Sequence, residues 1–225
     1  RGYIDSEMVS VIPIGIHDDQ RAIRSRQAAG LLRSELNLPR NALIAVTVGR
    51  FVEQKGHTVL IDALPEIVAR IPNLRLLFLG DGPLASIIRS RATALGVADY
   101  LIFGGMRDDI IPAVAGSDMM IHPSLEEPFG IALLEGMRGG LPIVASAVGG
   151  IPEVAGGSEG MILVEPRNPQ ALAEAVIATM TDTDRADVMG LANRRRFEEY
   201  FTAQTMIDRL ESVFIRAKEL APHHG

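Results

Sequence analysis

Two loops of this 225-residue sequence carry side chains whose types and spacing suit chemistry. The first loop, Gly49–Gly56, reads GRFVEQKG and contains two cations. Arg50 offers a planar fork of N–H donors and Lys55 a compact point charge, a pair that suits a diphosphate. A solvated turn with ordinary surface cations is the alternative, and the loop by itself favours neither. Its glycine spacing differs from the patterns of dinucleotide-binding and phosphate-loop enzymes.

The second loop, Ser124–Gly130, reads SLEEPFG and runs directly into an apolar helical segment. A glycine at the helix start lets an anion approach the free backbone N–H groups, and the helix dipole favours negative charge there. Glu135 interrupts the apolar segment, where an unpaired carboxylate is costly and sugar hydroxyls would be suitable donors. Glu127 lies before the helix and can reach the same cleft. In the alternative interpretation, Glu126 and Glu127 only stabilise the helix start, and protein groups hold Glu135.

Two cations that face a helix N-terminus and two carboxylates suggest a ligand with a diphosphate and several hydroxyls, as in a nucleotide-sugar. Both loops follow short apolar runs that are typical of strands covered on both faces, and helical segments separate the runs. We therefore predict an α/β fold with a Rossmann-like, doubly wound parallel sheet of about six strands and helices on both faces. In the common strand order 3-2-1-4-5-6, the loops after the first and fourth strands meet. The runs are Ala42–Val48, Arg75–Leu79, Tyr100–Phe103, Met119–His122, Pro142–Ala145 and Met161–Val164.

The whole chain, 1–225, is interpreted as a single domain, with an extended linker segment over 1–20 and outer amphipathic helices over 184–220. A helix over Ala22–Leu36 is expected to lead up to the first strand. The net charge of −6 argues against a general nucleic-acid binder. The absence of cysteine excludes a disulfide scaffold and a thiol nucleophile, and it fits a cytoplasmic protein. No apolar run reaches the ~18–20 residues that a membrane span needs.

The ordered set of motifs resembles the C-terminal, donor-binding domain of family 4 glycosyltransferases, which are retaining enzymes of the GT-B architecture. Glu127 and Glu135 match the family's E-x7-E motif, and Gly49–Gly56 matches its G-R-x4-K-G loop. The resemblance runs from about Val11 to Met180. Further matches are LGDGP at 79–83, FGG at 103–105, LPIVA at 141–145 and GGIPE at 149–153.

The resemblance implies a role for each candidate residue. Arg50 and Lys55 would hold the donor diphosphate and stabilise the leaving nucleoside diphosphate. Glu127 would contact the donor sugar and Glu135 the ribose hydroxyls, while the base would lie beside Gly104–Arg107. Backbone N–H groups near the helix start would bind sugar or phosphate. The implied catalytic residues are Arg50, Lys55 and Glu127, and the implied donor-binding residues are Gly49, Arg50, Lys55, Gly104, Met106, Glu127, Phe129, Gly130, Ile131 and Glu135.

The resemblance also implies that no cofactor and no metal is needed, because cations and the helix dipole neutralise the leaving group. Asp108 and Asp109 follow a strand loosely and are expected to begin a helix rather than to hold a metal ion. The chain departs from the family at Pro128, where glycine is common, and at Gly136 and Arg138, where the family usually has alanine. The last two changes are expected to loosen the helix, by ~1 kcal/mol for glycine.

The leading hypothesis is the donor-binding domain of a hexosyltransferase, expected to have little activity alone. In the family an N-terminal domain, absent here, binds the acceptor and supplies a histidine that no histidine of this chain is expected to replace. The nucleotide-sugar and that missing domain are the expected partners, and any membrane contact would be made by the absent half. Two alternatives are a non-catalytic nucleotide-sugar-binding module and a GT-B-like nucleotide-sugar epimerase. The E-x7-E spacing argues against the epimerase.

Overall fold

The six apolar runs form one parallel sheet, as predicted. A computed structural model describes residues 9–220 of the chain, so the first eight residues of the predicted linker segment lie outside it. The strand order is β3-β2-β1-β4-β5-β6, which confirms that the loops after β1 and β4 leave adjacent strands at the same edge. The strands are β1 (Leu43–Val48), β2 (Leu74–Leu79), β3 (Leu101–Gly105), β4 (Met119–His122), β5 (Ile143–Ser146) and β6 (Met161–Val164).

Helices cover both faces of the sheet because the strands have no polar face to give to water. β4 and β5 are buried at every position. One core layer packs around Phe78 and Leu64, and the other packs around Ile44, Leu133 and Phe197. In residues 9–220 the helices are α1 (Arg26–Glu35), α2 (His57–Arg70), α3 (Ala85–Ala94), α4 (Ile111–Gly116), α5 (Ile131–Arg138), α6 (Ile151–Ala155), α7 (Pro169–Met180), α8 (Thr183–Tyr200) and α9 (Ala203–Leu220).

The first helix begins later than the predicted Ala22. A short 3-10 turn covers Gln20–Ala22, and the chain is extended at Ile23 before the helix starts. The Ser25 hydroxyl accepts the N–H of Ala28 at 3.1 Å, which is the capping arrangement that fixes a helix start. The prediction of one continuous helix from Ala22 was therefore wrong at its N-terminal end.

The described part of the linker segment packs against the two C-terminal helices. The Ile16 N–H donates to the carbonyl oxygen of Phe201 at 2.9 Å, and the N–H of Ala203 donates to the carbonyl oxygen of Ile16 at 2.8 Å. A side chain at Gly15 would overlap the Thr202 carbonyl oxygen, since its Cβ would lie 2.2 Å away. This junction fixes the linker segment at Gly15 and Ile16 against the connection between α8 and α9. Among the helices in residues 9–220, none has the length and apolar character that crossing a membrane requires.

Candidate functional site

The loops after β1 and β4 are joined by backbone hydrogen bonds. The carbonyl oxygen of Gln54 accepts the N–H of Leu125 at 2.7 Å and that of Glu126 at 3.2 Å. Gly56 closes the first loop in the left-handed conformation, at φ 62°, and its Cβ would lie 1.9 Å from the carbonyl oxygen of Pro123. Only glycine allows this approach, so the contact between the loops depends on this position.

Glu127 is buried between these loops, and three donors surround one of its carboxylate oxygens. Oε2 lies 2.5 Å from Lys55 Nζ, 2.9 Å from His122 Nε2 and 3.4 Å from Ser124 Oγ. Within residues 9–220, the other oxygen, Oε1, makes no hydrogen bond. Burial by itself would raise the pKa of Glu127, but the hydrogen bonds and charges of His122 and Lys55 outweigh burial and hold that pKa at about 2. The side chain is therefore a carboxylate at neutral pH.

Two glycines hold the backbone of Glu127. The N–H of Gly150 donates to the Glu127 carbonyl oxygen at 3.0 Å. Gly149 has φ 52°, and its Cβ would lie 2.0 Å from the same oxygen. The glycine pair that follows β5 thus packs directly against the loop that carries Glu127. These contacts fix the backbone from which the carboxylate projects.

The start of α5 presents free backbone donors beside this cluster. Gly130 precedes the helix with φ 96°, a conformation that favours glycine. In the described part of the chain, the N–H groups of Phe129, Gly130 and Ile131 bond to no protein acceptor. Oriented N–H groups and the helix dipole make this position suitable for an anion.

A cavity of about 520 Å³ opens at the carboxyl ends of β1 and β2 and the loop after β3. Arg50 lies in its wall and is exposed, and its side chain makes no hydrogen bond or ion pair with residues 9–220. The stem of Lys55 packs over Gly49, whose Cβ would lie 3.5 Å from Lys55 Cδ, so the Glu127 cluster adjoins this cavity. The lining residues are Val48, Gly49, Arg50, Leu79, Gly80, Asp81, Gly82, Met106, Arg107 and Ile110.

Gly104 and Met106 occupy different positions, although both were predicted to bind the donor. Met106 is 83% exposed and lines the cavity. Gly104 is in β3, where a Cβ would lie 2.8 Å from Leu79 Cδ2, and it does not line the cavity. The absence of a side chain at Gly104 therefore serves the packing of β3 against β2.

Glu135 has a protein partner, in contrast to Arg50. It forms an ion pair with Arg138 one turn later in α5, and Arg138 Nη1 also donates to the carbonyl oxygen of His17 at 2.9 Å. Burial raises the pKa of Glu135, and the charge of Arg138 opposes that rise. The structure thus shows the arrangement expected if protein groups hold Glu135, and its contact with a ribose stays a prediction.

The two family departures in α5 have packing explanations. Gly136 faces β4, and a Cβ there would lie 2.7 Å from Met120 Sδ. Arg138 is only 5% exposed because it connects Glu135 to the linker segment. The helix continues through both positions to Arg138. The expectation that they loosen α5 overlooked these contacts.

His122, Ser124 and His57 are three residues of this site to which sequence reasoning gave no role. His122 and Ser124 contact each other at 3.0 Å as well as Glu127. His57 packs edge-on against Phe51, at 5.0 Å between ring centroids, and its buried Nδ1 has no partner within residues 9–220. The signal for His122 was its position at the carboxyl end of β4, at the edge where ligands bind in such sheets.

The acidic pair after β3 lies at a helix start, as expected. Asp109 Oδ1 accepts the N–H of Ile111, the first residue of α4, at 2.9 Å. Asp109 also lies 3.8 Å from Arg21 Nη1. In the part of the chain that the structure describes, no group of three or more histidine, aspartate or glutamate side chains is arranged to hold a metal ion.

The chain matches a known protein family and curated relatives over much of its length. A profile of the family described as Glycosyl transferases group 1 matches residues 42–182. The GDP-mannose-dependent alpha-(1-6)-phosphatidylinositol monomannoside mannosyltransferase of Mycobacterium tuberculosis is 32% identical over 222 residues, which cover 93% of this chain and 56% of that protein. The chain therefore spans little more than half the length of this relative.

Two solved structures share the fold. Anabaena HepE in complex with UDP and glucose has a TM-score of 0.83 at 24% identity, over 96% of this chain and 58% of that one. The C-terminal domain of a glycosyl transferase group 1 family protein from Francisella tularensis has a TM-score of 0.74 at 18% identity. It covers 84% of this chain, and 100% of that chain is matched. At these identities, the likeness concerns the fold alone.

Proposed function

This chain belongs to the glycosyl transferases group 1 family, and we propose that it is the donor-binding domain of a retaining hexosyltransferase. The donor is a nucleoside-diphosphate sugar, and a domain outside this chain binds the acceptor. The observation that carries the proposal is the contact of Lys55 with Glu127 where the two loops join, beside the free N–H groups of α5 and the cavity that contains Arg50. Retention of the anomeric configuration follows from the resemblance to family 4.

The diphosphate is the part of the donor that this site suits best. Arg50 and Lys55 supply two cations, and the start of α5 supplies backbone N–H groups and the positive end of a dipole. Lys55 has three N–H donors, so it can contact a phosphate oxygen and keep its contact with Glu127. The same groups would stabilise the negative charge that develops on the leaving nucleoside diphosphate, without a metal ion.

The sugar and the base lie on opposite sides of this diphosphate site in our proposal. Glu127 Oε1, which accepts no hydrogen bond from residues 9–220, accepts a hydroxyl of the sugar. The base enters the cavity beside Met106, whose exposed side chain offers an apolar surface for stacking. Glu135 reaches the ribose hydroxyls, which requires it to share or leave its pairing with Arg138.

Titration of the chain with nucleotides tests the proposed ligand class. UDP, GDP and ADP, and their glucose and mannose conjugates, are compared by calorimetry. The mycobacterial relative is named for GDP-mannose and the Anabaena structure contains UDP, so both bases belong in the panel. We expect one base to bind preferentially. A chain that binds none of these compounds would overturn the proposal.

Activity of the full-length parent separates an enzyme from a binding module. Sugar transfer by the parent should fall by ~10²-fold or more in Glu127→Ala, because the sugar loses a contact beside the reacting centre. Glu126→Ala is the matched control, since Glu126 is the exposed neighbour in the same loop. A parent that transfers no sugar while the chain binds the nucleotide-sugar would identify a non-catalytic module.

A further inference from the structure

His122 has a geometry that an ordinary buried histidine does not need. It is the last residue of β4 and is 2% exposed. A single ring atom, Nε2, lies 2.9 Å from Glu127 Oε2 and 3.0 Å from Ser124 Oγ. A backbone carbonyl would satisfy a core histidine equally well, but this ring is aimed at the carboxylate that the proposed site presents to the sugar.

The hydrogen-bond directions around Glu127 are determined by chemistry. A carboxylate only accepts, so His122 Nε2 must carry a hydrogen and donate to Oε2. The Ser124 hydroxyl can share this one Nε2 hydrogen as a second acceptor and donate its own hydrogen to Oε2.

Lys55 cannot fix the carboxylate alone. Its ammonium stands on a flexible four-carbon stem and is 26% exposed, and in the proposed function it also contacts the diphosphate. His122 is rigid by comparison because it projects from a buried strand. The charged or titratable groups around the ring are Lys55 from the first loop, Glu127 from the second and His57 from the start of α2.

We propose that His122 is a positioning residue for glycosyl transfer: with Ser124 it binds Glu127 Oε2 and thereby directs Oε1 to the donor sugar. The inference rests on the proposed function, in which Glu127 contacts the sugar and Arg50 the diphosphate. The inference predicts an effect on the sugar part of the donor only. Loss of His122 should weaken the contribution of the sugar to binding and leave the contribution of the nucleoside diphosphate unchanged.

The test compares two dissociation constants for each variant of this chain. Calorimetry gives the ratio of the constant for GDP to that for GDP-mannose, and of UDP to UDP-glucose, for wild type, His122→Leu, His122→Gln and Glu127→Gln. We expect His122→Leu to lower the ratio by about fivefold to tenfold, the size of one ordinary hydrogen bond, because the lost contact acts on the sugar only through Glu127. Glutamine has an amide N–H at a similar reach, so His122→Gln should restore most of the ratio.

Each result decides between the inference and its premise. If the chain binds neither the diphosphates nor the conjugates, the proposed function fails and the inference fails with it. If Glu127→Gln lowers the ratio and His122→Leu does not, the proposed function stands and the inference is overturned. Equal weakening of diphosphate and conjugate in His122→Leu would show a purely structural role and would also overturn it.

Ser124→Ala gives a second test that avoids the larger substitution at His122, and the kinetics of the parent give a third. Ser124→Ala removes only a hydroxyl at a fully buried position, so it should fold normally and lower the ratio by about twofold. In the parent, His122→Leu should lower kcat and raise KM for the donor, and His122→Gln should reverse both changes. A parent in which leucine and glutamine behave alike would contradict a positioning role.

Discussion

Replacing His57 with phenylalanine tests how burial affects ionisation at the edge of the site. His57 is the first residue of α2, is 3% exposed, and packs against Phe51 and Phe78. Burial, together with the neighbouring His122 and Lys55, lowers the pKa of His57 from 6.5 to about 4. The ring is therefore neutral in the folded protein under conditions in which it takes up a proton after unfolding.

The sign and size of the effect follow from this difference in pKa. Between pH 6.5 and 4 the unfolded chain binds more protons at this residue than the folded chain, so the free energy of unfolding falls as the pH falls. At pH 5 the loss is ~2 kcal/mol relative to pH 7.5, and it approaches ~3.4 kcal/mol below pH 4. Above about pH 7.5 the residue contributes almost no pH dependence, because the ring is then neutral in both states.

Urea denaturation at half-unit steps from pH 7.5 to pH 5 measures this change in the free energy of unfolding. Subtracting the curve of His57→Phe from that of the wild type cancels the contributions of all other groups. The difference should change by ~2 kcal/mol over this range, with the wild type losing stability relative to the variant as the pH falls. His17→Asn is the control, because His17 is exposed in the linker segment. A difference that stays constant from pH 7.5 to pH 5 would refute the assignment of His57 as a buried neutral ring.

Three glycine substitutions test further predictions about stability. Gly56→Ala should destabilise the chain by ~3 kcal/mol or more in thermal unfolding, because it combines a φ of 62° with overlap of the Pro123 carbonyl. Gly96→Ala, at φ 70° with open space around it, should lose only ~1 kcal/mol in the same assay. Equal losses would show that contact between the two loops does not depend on Gly56. Gly30→Ala should stabilise α1 by about 0.5–1 kcal/mol, because Gly30 is in the middle of the helix and a Cβ there meets nothing within 4 Å. A lower melting temperature in that variant would contradict this reading.

The strands and their order could be predicted because buried parallel strands have a simple composition. Runs such as Ala42–Val48 and Met119–His122 contain almost no polar residues, and helix-length segments between them permit only parallel crossovers. The meeting of the two loops followed from that order. The five-residue helix α6 was too short for its periodicity to be recognised.

The contacts within the site were less accessible from the sequence. The pairing of Glu135 with Arg138 could have been anticipated, because residues three apart in a helix are neighbours. The cluster around Glu127 could not have been anticipated. It forms only because the loop bends and brings Glu127 back to the end of the strand that contains His122. Gly149 and Gly150, which contact that loop, lie in the turn after a different strand, β5. Such contacts depend on tertiary structure rather than on spacing along the chain.

The most direct test of the central claim is the affinity of Arg50→Ala for a nucleoside diphosphate. Within residues 9–220 the Arg50 side chain has no hydrogen bond or ion pair. Its removal should therefore weaken ligand binding without destabilising the fold. Arg40→Ala is the matched control, since Arg40 is an exposed arginine that precedes β1 at the opposite edge of the sheet.

Calorimetry should show that Arg50→Ala weakens GDP or UDP binding by about tenfold or more, and that the double variant with Lys55→Ala weakens it by ~100-fold. Arg40→Ala should bind as the wild type does. Wild-type affinity in the double variant would contradict the assignment of this site to the donor diphosphate.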